Sequence, residues 1–134
     1  MVVLYTDGGC SGNGQYDISK RKMVVVVSDE HGQVLIEKHE LGGSNNIAEL
    51  IAVKEALQWA FEHDIKEVEI RTDSTNNKAW VFGRTVGKKI NDRELVLRLK
   101  AEIRAFRDEV ELTLSWIPRA ENLAGHYIEK KYAS

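Results

Sequence analysis

Apolar residues follow two different periods along the first half of the chain and predict an alternation of strands and a helix. Alternating or continuous apolar stretches at residues 2–6, 22–28 and 33–41 predict three strands, the last two joined by a turn at 29–32. Apolar positions three and four residues apart predict a long helix over 45–63. Residues 67–72 then predict a fourth strand, which we expect to run parallel to a neighbour because a helix separates it from the preceding strands.

The second half predicts one further strand and three helices. A short helix opens at Asp73, an amphipathic helix covers 91–106, and a C-terminal helix covers 121–132. Residues 110–117 predict the fifth strand, which Pro118 stops. The order βββαβααβα predicts an α/β fold with a five-stranded mixed sheet flanked by helices.

Composition limits the classes of protein that fit this pattern. The chain has 134 residues, the size of one domain over 1–134, and its 43% hydrophobic and 30% charged residues argue against disorder. The single cysteine cannot form an internal disulfide, and neither a signal-like segment nor a membrane-spanning apolar run is present. These features predict a cytoplasmic protein without membrane association. A net charge of −2 neither requires nor excludes a nucleic-acid partner.

Three acidic residues fall where the predicted elements would bring them together. Asp7 is expected to end the first strand, Asp73 the fourth, and Glu49 lies one turn into the first helix. Three converging carboxylates repel one another unless a hard cation such as Mg²⁺ or Mn²⁺ neutralises them. Each also has a local alternative. Asp7 fits a turn, Asp73 fits a helix N-cap, and Asn46 with Glu49 fits a capping box.

Four segments resemble, in order, the signatures of the ribonuclease H type 1 family. They are YTDGGCSGN at 5–13, GGSNNIAEL at 42–50, IRTDST at 70–75 and WIPRAEN at 116–122, so the resemblance spans essentially the whole chain. It implies an RNase H-like fold, here without the extra basic helix that some members insert. It also implies an endonuclease that hydrolyses the RNA strand of an RNA/DNA hybrid with two metal ions, Mg²⁺ or Mn²⁺, held by four acidic residues. No protein partner is indicated, and a monomer is expected.

The fourth metal-binding position departs from the family. The resemblance implies catalytic, metal-binding roles for Asp7, Glu49 and Asp73, but it places His126 where the family has aspartate. A neutral imidazole brings one lone pair and no negative charge and suits Mn²⁺ better than Mg²⁺, so cleavage that prefers manganese is one prediction. Glu129, three residues on, is a candidate substitute ligand. The alternative is an inactive protein that only binds hybrids.

Small and amide side chains beside the acidic residues resemble the family's contacts to the RNA strand. An amide can both donate to and accept from a 2′-hydroxyl, the group that distinguishes RNA from DNA. A DNA-directed nuclease on the same fold is therefore the weaker hypothesis. Asn91 also fits a helix N-cap, and the basic loop at 15–22, where the chain departs from the family pattern, fits either phosphate contact or simple solvation. The predicted substrate-binding residues are Gly8, Gly9, Cys10, Ser11, Asn13, Asn45, Asn46 and Asn91.

Overall fold

The computed structural model describes residues 1–11, 22–75, 81 and 93–132, and these form a five-stranded sheet with three long helices. The strands are β1 (Val2–Ser11), β2 (Lys22–Asp29), β3 (Val34–Leu41), β4 (Glu67–Thr72) and β5 (Glu111–Trp116). The helices are α1 (Asn45–Glu62), α2 (Arg93–Arg107) and α3 (Leu123–Tyr132), with a 3₁₀ turn at Arg119–Glu121. None of these helices is long and apolar enough to cross a membrane.

The sheet has the strand order β3-β2-β1-β4-β5 and is mixed, as predicted. β1, β2 and β3 pair antiparallel, whereas β4 runs parallel to β1 and β5 runs parallel to β4. The parallel pairs follow the helical connections because a crossover helix returns the chain to the same end of the sheet. The α/β fold class and the predicted element order are confirmed. Most of the predicted short helix after Asp73 lies outside the described residues, where only Thr75 and Val81 are assigned, both as helical.

Helices cover both faces of the sheet, so alternate strand residues enter two separate cores. On one face, fully buried side chains of the sheet pack against α1 and α2; they are Leu4, Val25, Val27, Val68 and Ile70. On the other face, Tyr5 and Val26 pack against Ala124 and Ile128 of α3. Burial of each large aliphatic side chain contributes roughly 1.5–3 kcal/mol. The two cores therefore fix the positions of α1 and α3 relative to β1.

β1 does not end at Asp7, and this corrects the expectation from sequence. The parallel pairing with β4 stops at Tyr5↔Arg71, but the antiparallel pairing with β2 continues to Ser11↔Lys22. An apolar pattern cannot reveal this extension, because the ladder to β2 is made by backbone groups and continues through two glycines. Asp7 is therefore a residue within a strand, not a turn residue.

The start of α1 also differs from the capping-box interpretation. Ser44 is the N-cap residue, and its Oγ accepts a hydrogen bond from the Ile47 backbone N–H at 3.3 Å. Asn46 consequently lies inside the helix, and the proposed box with Glu49 is wrong. Two glycines before Ser44, with φ of 89° and 80°, turn the chain from β3 into the helix. The Glu49 side chain is left available for another role.

The remaining helix and strand boundaries lie within two residues of those predicted. Near the C terminus, the 3₁₀ turn Arg119–Glu121 precedes a helix that begins at Leu123. The far end of α3 is fastened to β3, because Tyr127, Lys131 and Tyr132 all donate hydrogen bonds to the Glu37 carboxylate. These bonds lower the pKa of Glu37 to about 2, and the bond from Tyr127 contributes most.

Candidate metal centre

Three carboxylates converge at one edge of the sheet, as the sequence predicts. Asp7 of β1, Glu49 of α1 and Asp73, the residue after β4, each offer one oxygen, and these oxygens lie within 4.8 Å of one another. β1 and β4 are parallel neighbours, so both strands run toward the same edge of the sheet. The prediction that the three residues meet is therefore confirmed, although Asp7 reaches this edge from within a strand.

A close contact between two backbones places Glu49 beside Asp7. A Cβ atom at Gly8 would lie 2.2 Å from the carbonyl carbon of Ala48 and 2.5 Å from the backbone nitrogen of Glu49. No side chain fits in that space, so only glycine allows β1 to touch the first turns of α1. Gly8 was predicted to bind substrate, and the structure gives it this packing role as well.

Asn122 and Gly125, at the start of α3, pack against β1 beside Asp7. Neither was predicted as a site residue. Asn122 is fully buried, and its Nδ2 donates to the Thr6 carbonyl at 3.0 Å. Its Oδ1 accepts from the backbone N–H groups of Ala124 at 3.1 Å and Gly125 at 3.3 Å, which caps α3. A Cβ on Gly125 would lie 3.1 Å from Asp7 Oδ2. The predicted helix over 121–132 placed Asn122 inside its first turn, so the capping role was missed.

Burial and mutual repulsion make the ionised forms of two of these acids unfavourable. Asp7 is 2% exposed. Burial, and then the charge of Asp73, raises its pKa to about 7. Burial also raises the pKa of Glu49 to about 7, and Asp73 adds to the rise. The neighbouring Ser74 opposes the shift at Glu49, although its Oγ makes no hydrogen bond of ordinary geometry.

The Asp7 carboxylate has an oxygen without a partner. Asp7 Oδ1 is buried and has no hydrogen-bond partner among the described residues. A buried polar atom without a partner costs free energy, and carboxylate oxygens are the preferred ligands of hard divalent cations. The donor set, its charge and this free oxygen all fit Mg²⁺ or Mn²⁺.

Arg119 contacts two of the three carboxylates, although no role was predicted for it from sequence. Its Nη1 lies 3.1 Å from Asp73 Oδ2 and 3.6 Å from Asp7 Oδ2, and its Nε donates to Glu129 Oε1 at 2.7 Å. The guanidinium opposes the rise in the pKa of Asp7 and Glu49. Glu129, the predicted substitute ligand, is thus bonded to Arg119 and is not in the carboxylate group. The arginine in WIPRAEN was the available signal.

Trp116 also contacts the backbone at this edge of the sheet. Its Nε1 donates to the Asp73 backbone carbonyl at 3.2 Å, while 58% of the residue remains exposed. Asp73 follows the last residue of β4, where ladder pairing has ended, so this bond restrains a backbone that the sheet no longer holds. Trp116 therefore helps to position the Asp73 carboxylate.

His126 does not join the carboxylates in this structure. It is exposed on the first turn of α3, where its backbone N–H donates to the Asn122 carbonyl at 2.9 Å. Among the described residues, the close group of potential ligands contains only Asp7, Glu49 and Asp73. A role for His126 as a fourth ligand stays a prediction.

Part of the predicted substrate-binding set lies where the end of β1 meets the start of α1. Cys10 donates its backbone N–H to Asn45 Oδ1 at 2.7 Å, which ties the end of β1 to the start of α1. Gly9, Cys10 and Asn45 contribute to the lining of a cavity of about 470 Å³. Asn46 is half-buried in the first turn of α1. Asn13, Asn91 and the Ser11 side chain lie outside the part of the chain that is described.

Comparisons with known proteins identify the family. The RNase H family model matches residues 1–126, so the chain belongs to the RNase H family. Ribonuclease H from Clostridium botulinum is 45% identical over 73 residues, which cover 54% of this chain but only 47% of that protein. Ribonuclease H from Neorickettsia sennetsu is 28% identical over an alignment that covers 95% of this chain and 85% of that protein.

Solved structures agree with this assignment. LC11-RNase H1, crystallised in complex with an RNA/DNA hybrid, is 29% identical. The match has a TM-score of 0.63 and covers 91% of this chain and 88% of that one. The RNase H-like fold expected from the four sequence segments is thus confirmed.

The backbone contact at Gly8 generates the first prediction. Gly8→Ala should destabilise the protein by about 3 kcal/mol or more, because its Cβ would overlap the backbone of α1. Gly9→Ala is the matched control, since its Cβ would meet only Val24 Cγ1 at 3.7 Å, an ordinary contact. Urea denaturation of both variants measures the difference. Equal stability of the two variants would contradict the role of Gly8.

The raised pKa values predict an unusual pH dependence of stability. Asp7 and Glu49 bind more protons when folded than when unfolded between about pH 4 and pH 7. The free energy of unfolding in EDTA should therefore fall as pH rises through this window, by on the order of several kcal/mol. Asp7→Asn should flatten the profile, and Mg²⁺ or Mn²⁺ should restore stability at pH 7. Stability that rises from pH 4 to pH 7 in EDTA would contradict this assignment.

Proposed function

We propose that this protein is an endoribonuclease that hydrolyses the RNA strand of RNA/DNA hybrids, using divalent metal ions held by Asp7, Glu49 and Asp73. The observation that carries the proposal is the convergence of these three carboxylates, within 4.8 Å, around a buried Asp7 oxygen that lacks a partner. Membership of the RNase H family supports the reaction class. The hybrid bound to LC11-RNase H1 supports the substrate class.

The three acids would hold the ions and would change protonation when they do so. Two bound Mg²⁺ or Mn²⁺ ions would supply an activated water and a stabilised leaving oxygen. Because the pKa of Asp7 and of Glu49 is raised to about 7, both are partly protonated at neutral pH without metal. Metal binding should then release protons from these two groups. Trp116, through its bond to the Asp73 backbone, orients the third acid.

The substrate side of the site would be built from small and amide residues. Asn45 and Asn46 lie at the start of α1, the helix that carries Glu49, and Cys10 lies near the end of β1, the strand that carries Asp7. Amides can recognise the 2′-hydroxyl of an RNA strand, and small residues allow a sugar-phosphate chain to approach the backbone. The remaining predicted contacts, the monomeric state and the cytoplasmic location stay predictions.

Hybrid binding without turnover is a second candidate function, and one observation favours it. His126 replaces the expected fourth carboxylate, and it is exposed on α3 outside the close group of three acids. A site with one acid fewer holds less negative charge, so it would bind a second Mg²⁺ ion less tightly. The same assay separates the two candidates.

The cleavage assay uses a labelled RNA/DNA hybrid with Mg²⁺ and, separately, with Mn²⁺. We expect cleavage of the RNA strand that disappears in Asp73→Asn, because this variant removes one metal-binding charge from the group. The loss of a metal ligand should lower turnover by at least about 100-fold. Single-stranded RNA and duplex DNA are the substrate controls. Hybrid binding with no cleavage in either metal would instead support the second candidate.

A manganese preference is the prediction attached to His126. His126→Asp restores a carboxylate at this position and should raise cleavage with Mg²⁺ relative to Mn²⁺, by about tenfold. His31→Asp is a charge-matched control, since it adds the same charge in the exposed turn between β2 and β3. Steady-state rates in both metals give the ratio. If both variants change the ratio equally, His126 does not contribute to metal binding.

A further inference from the structure

Arg119 links the cluster of three acids, Asp7, Glu49 and Asp73, to a further acid, Glu129, which lies outside that cluster. Its Nη1 faces Asp73 Oδ2 at 3.1 Å and Asp7 Oδ2 at 3.6 Å. Its Nε donates to Glu129 Oε1 at 2.7 Å. A cation is thus already present beside two of the oxygens that a metal ion would use.

Two different nitrogens of the Arg119 guanidinium make these contacts. Nη1 is the terminal nitrogen that faces the carboxylates, whereas Nε, nearer the stem of the side chain, carries the bond to Glu129. The guanidinium is planar and rigid, so Nη1 can leave the carboxylates if the whole group pivots about the bond between Nε and Glu129. The Arg119 and Glu129 side chains are 51% and 52% exposed, so neither is locked in place by packing.

We propose that Arg119 is a built-in counter-cation of the metal centre, which a divalent ion displaces and which Glu129 then retains. This inference rests on the proposed metal site and adds two residues that set its affinity. In the metal-free protein, Nη1 partly neutralises Asp7 and Asp73, whose ionised oxygens otherwise repel one another. When a divalent ion binds those oxygens, like charges oppose each other and the guanidinium moves toward Glu129.

Arg119 and Glu129 should then act on metal affinity in opposite directions. Arg119 competes with the metal ion, so removing it should tighten metal binding. Glu129 is the partner that keeps the displaced guanidinium, so removing it should weaken metal binding. General electrostatics predicts the same two signs, but it predicts independent effects of the two residues. Retention by Glu129 requires that its effect depend on Arg119, which a double-mutant cycle measures.

The experiment is a calorimetric titration of Mn²⁺ into the protein without nucleic acid. Arg119→Gln should bind Mn²⁺ about tenfold more tightly than the unmodified chain, and Glu129→Gln about three- to tenfold more weakly. In the Arg119→Gln background, the change caused by Glu129→Gln should largely disappear. Arg104→Gln is the charge control, since it removes one positive charge from an exposed position on α2 and should have little effect.

Thermal unfolding in EDTA and in Mn²⁺ provides a second measurement. Arg119→Gln should lower the melting temperature in EDTA and increase the stabilisation by Mn²⁺. If the glutamine variant does not fold, Arg119→Lys is used in its place. Lysine keeps the positive charge but lacks the second nitrogen that bridges to Glu129.

Different outcomes would contradict different parts of the account. Unchanged Mn²⁺ affinity in Arg119→Gln, or an equal effect of Glu129→Gln in both backgrounds, would overturn the counter-cation role and leave the metal site intact. Failure of the unmodified chain to bind Mn²⁺ would contradict the metal site itself.

Discussion

The contact between the β1 backbone at Gly8 and the first turns of α1 is the constraint on which the site depends. Asp7 and Glu49 are far apart in sequence and belong to different elements, and they meet because no side chain separates those elements at this point. On one face of the sheet, α1 packs against β1 in the larger core. On the other face, Asn122 holds the start of α3 in place by donating a hydrogen bond to the Thr6 carbonyl. Packing on both faces of the sheet therefore sets the positions of the three acids.

That packing stabilises an electrostatically unfavourable arrangement. The buried Asp7 and the half-buried Glu49 both have pKa values raised to about 7, and one Asp7 oxygen lacks a partner, so they lower the stability of the metal-free fold. Stability lost at a site in this way is typical of functional positions, where binding rather than folding satisfies the charges. Arg119 offsets part of the repulsion in the metal-free protein. The same free energy then becomes available to favour metal binding.

Some elements of the site could be predicted from the sequence, because they depend on local patterns. The long α1 helix, the parallel β4 and the meeting of Asp7, Glu49 and Asp73 follow from apolar periodicity and the order of elements. The extension of β1 to Ser11 could not be predicted in this way, since backbone ladder bonds through glycines leave no hydrophobic signal. The N-cap at Ser44 was missed because several polar residues at a helix start fit a capping pattern equally well.

The sequence by itself determined the fold class, the family and three acids at one sheet edge, because hydrophobic periodicity and ordered motifs are properties of neighbouring residues. Only the tertiary structure decided which further side chains meet those acids. Arg119 reaches Asp7 and Asp73, and Trp116 reaches the Asp73 backbone, through contacts that join separate elements. It also separated His126 from the acid group, because the direction of a side chain on a helix depends on how that helix packs.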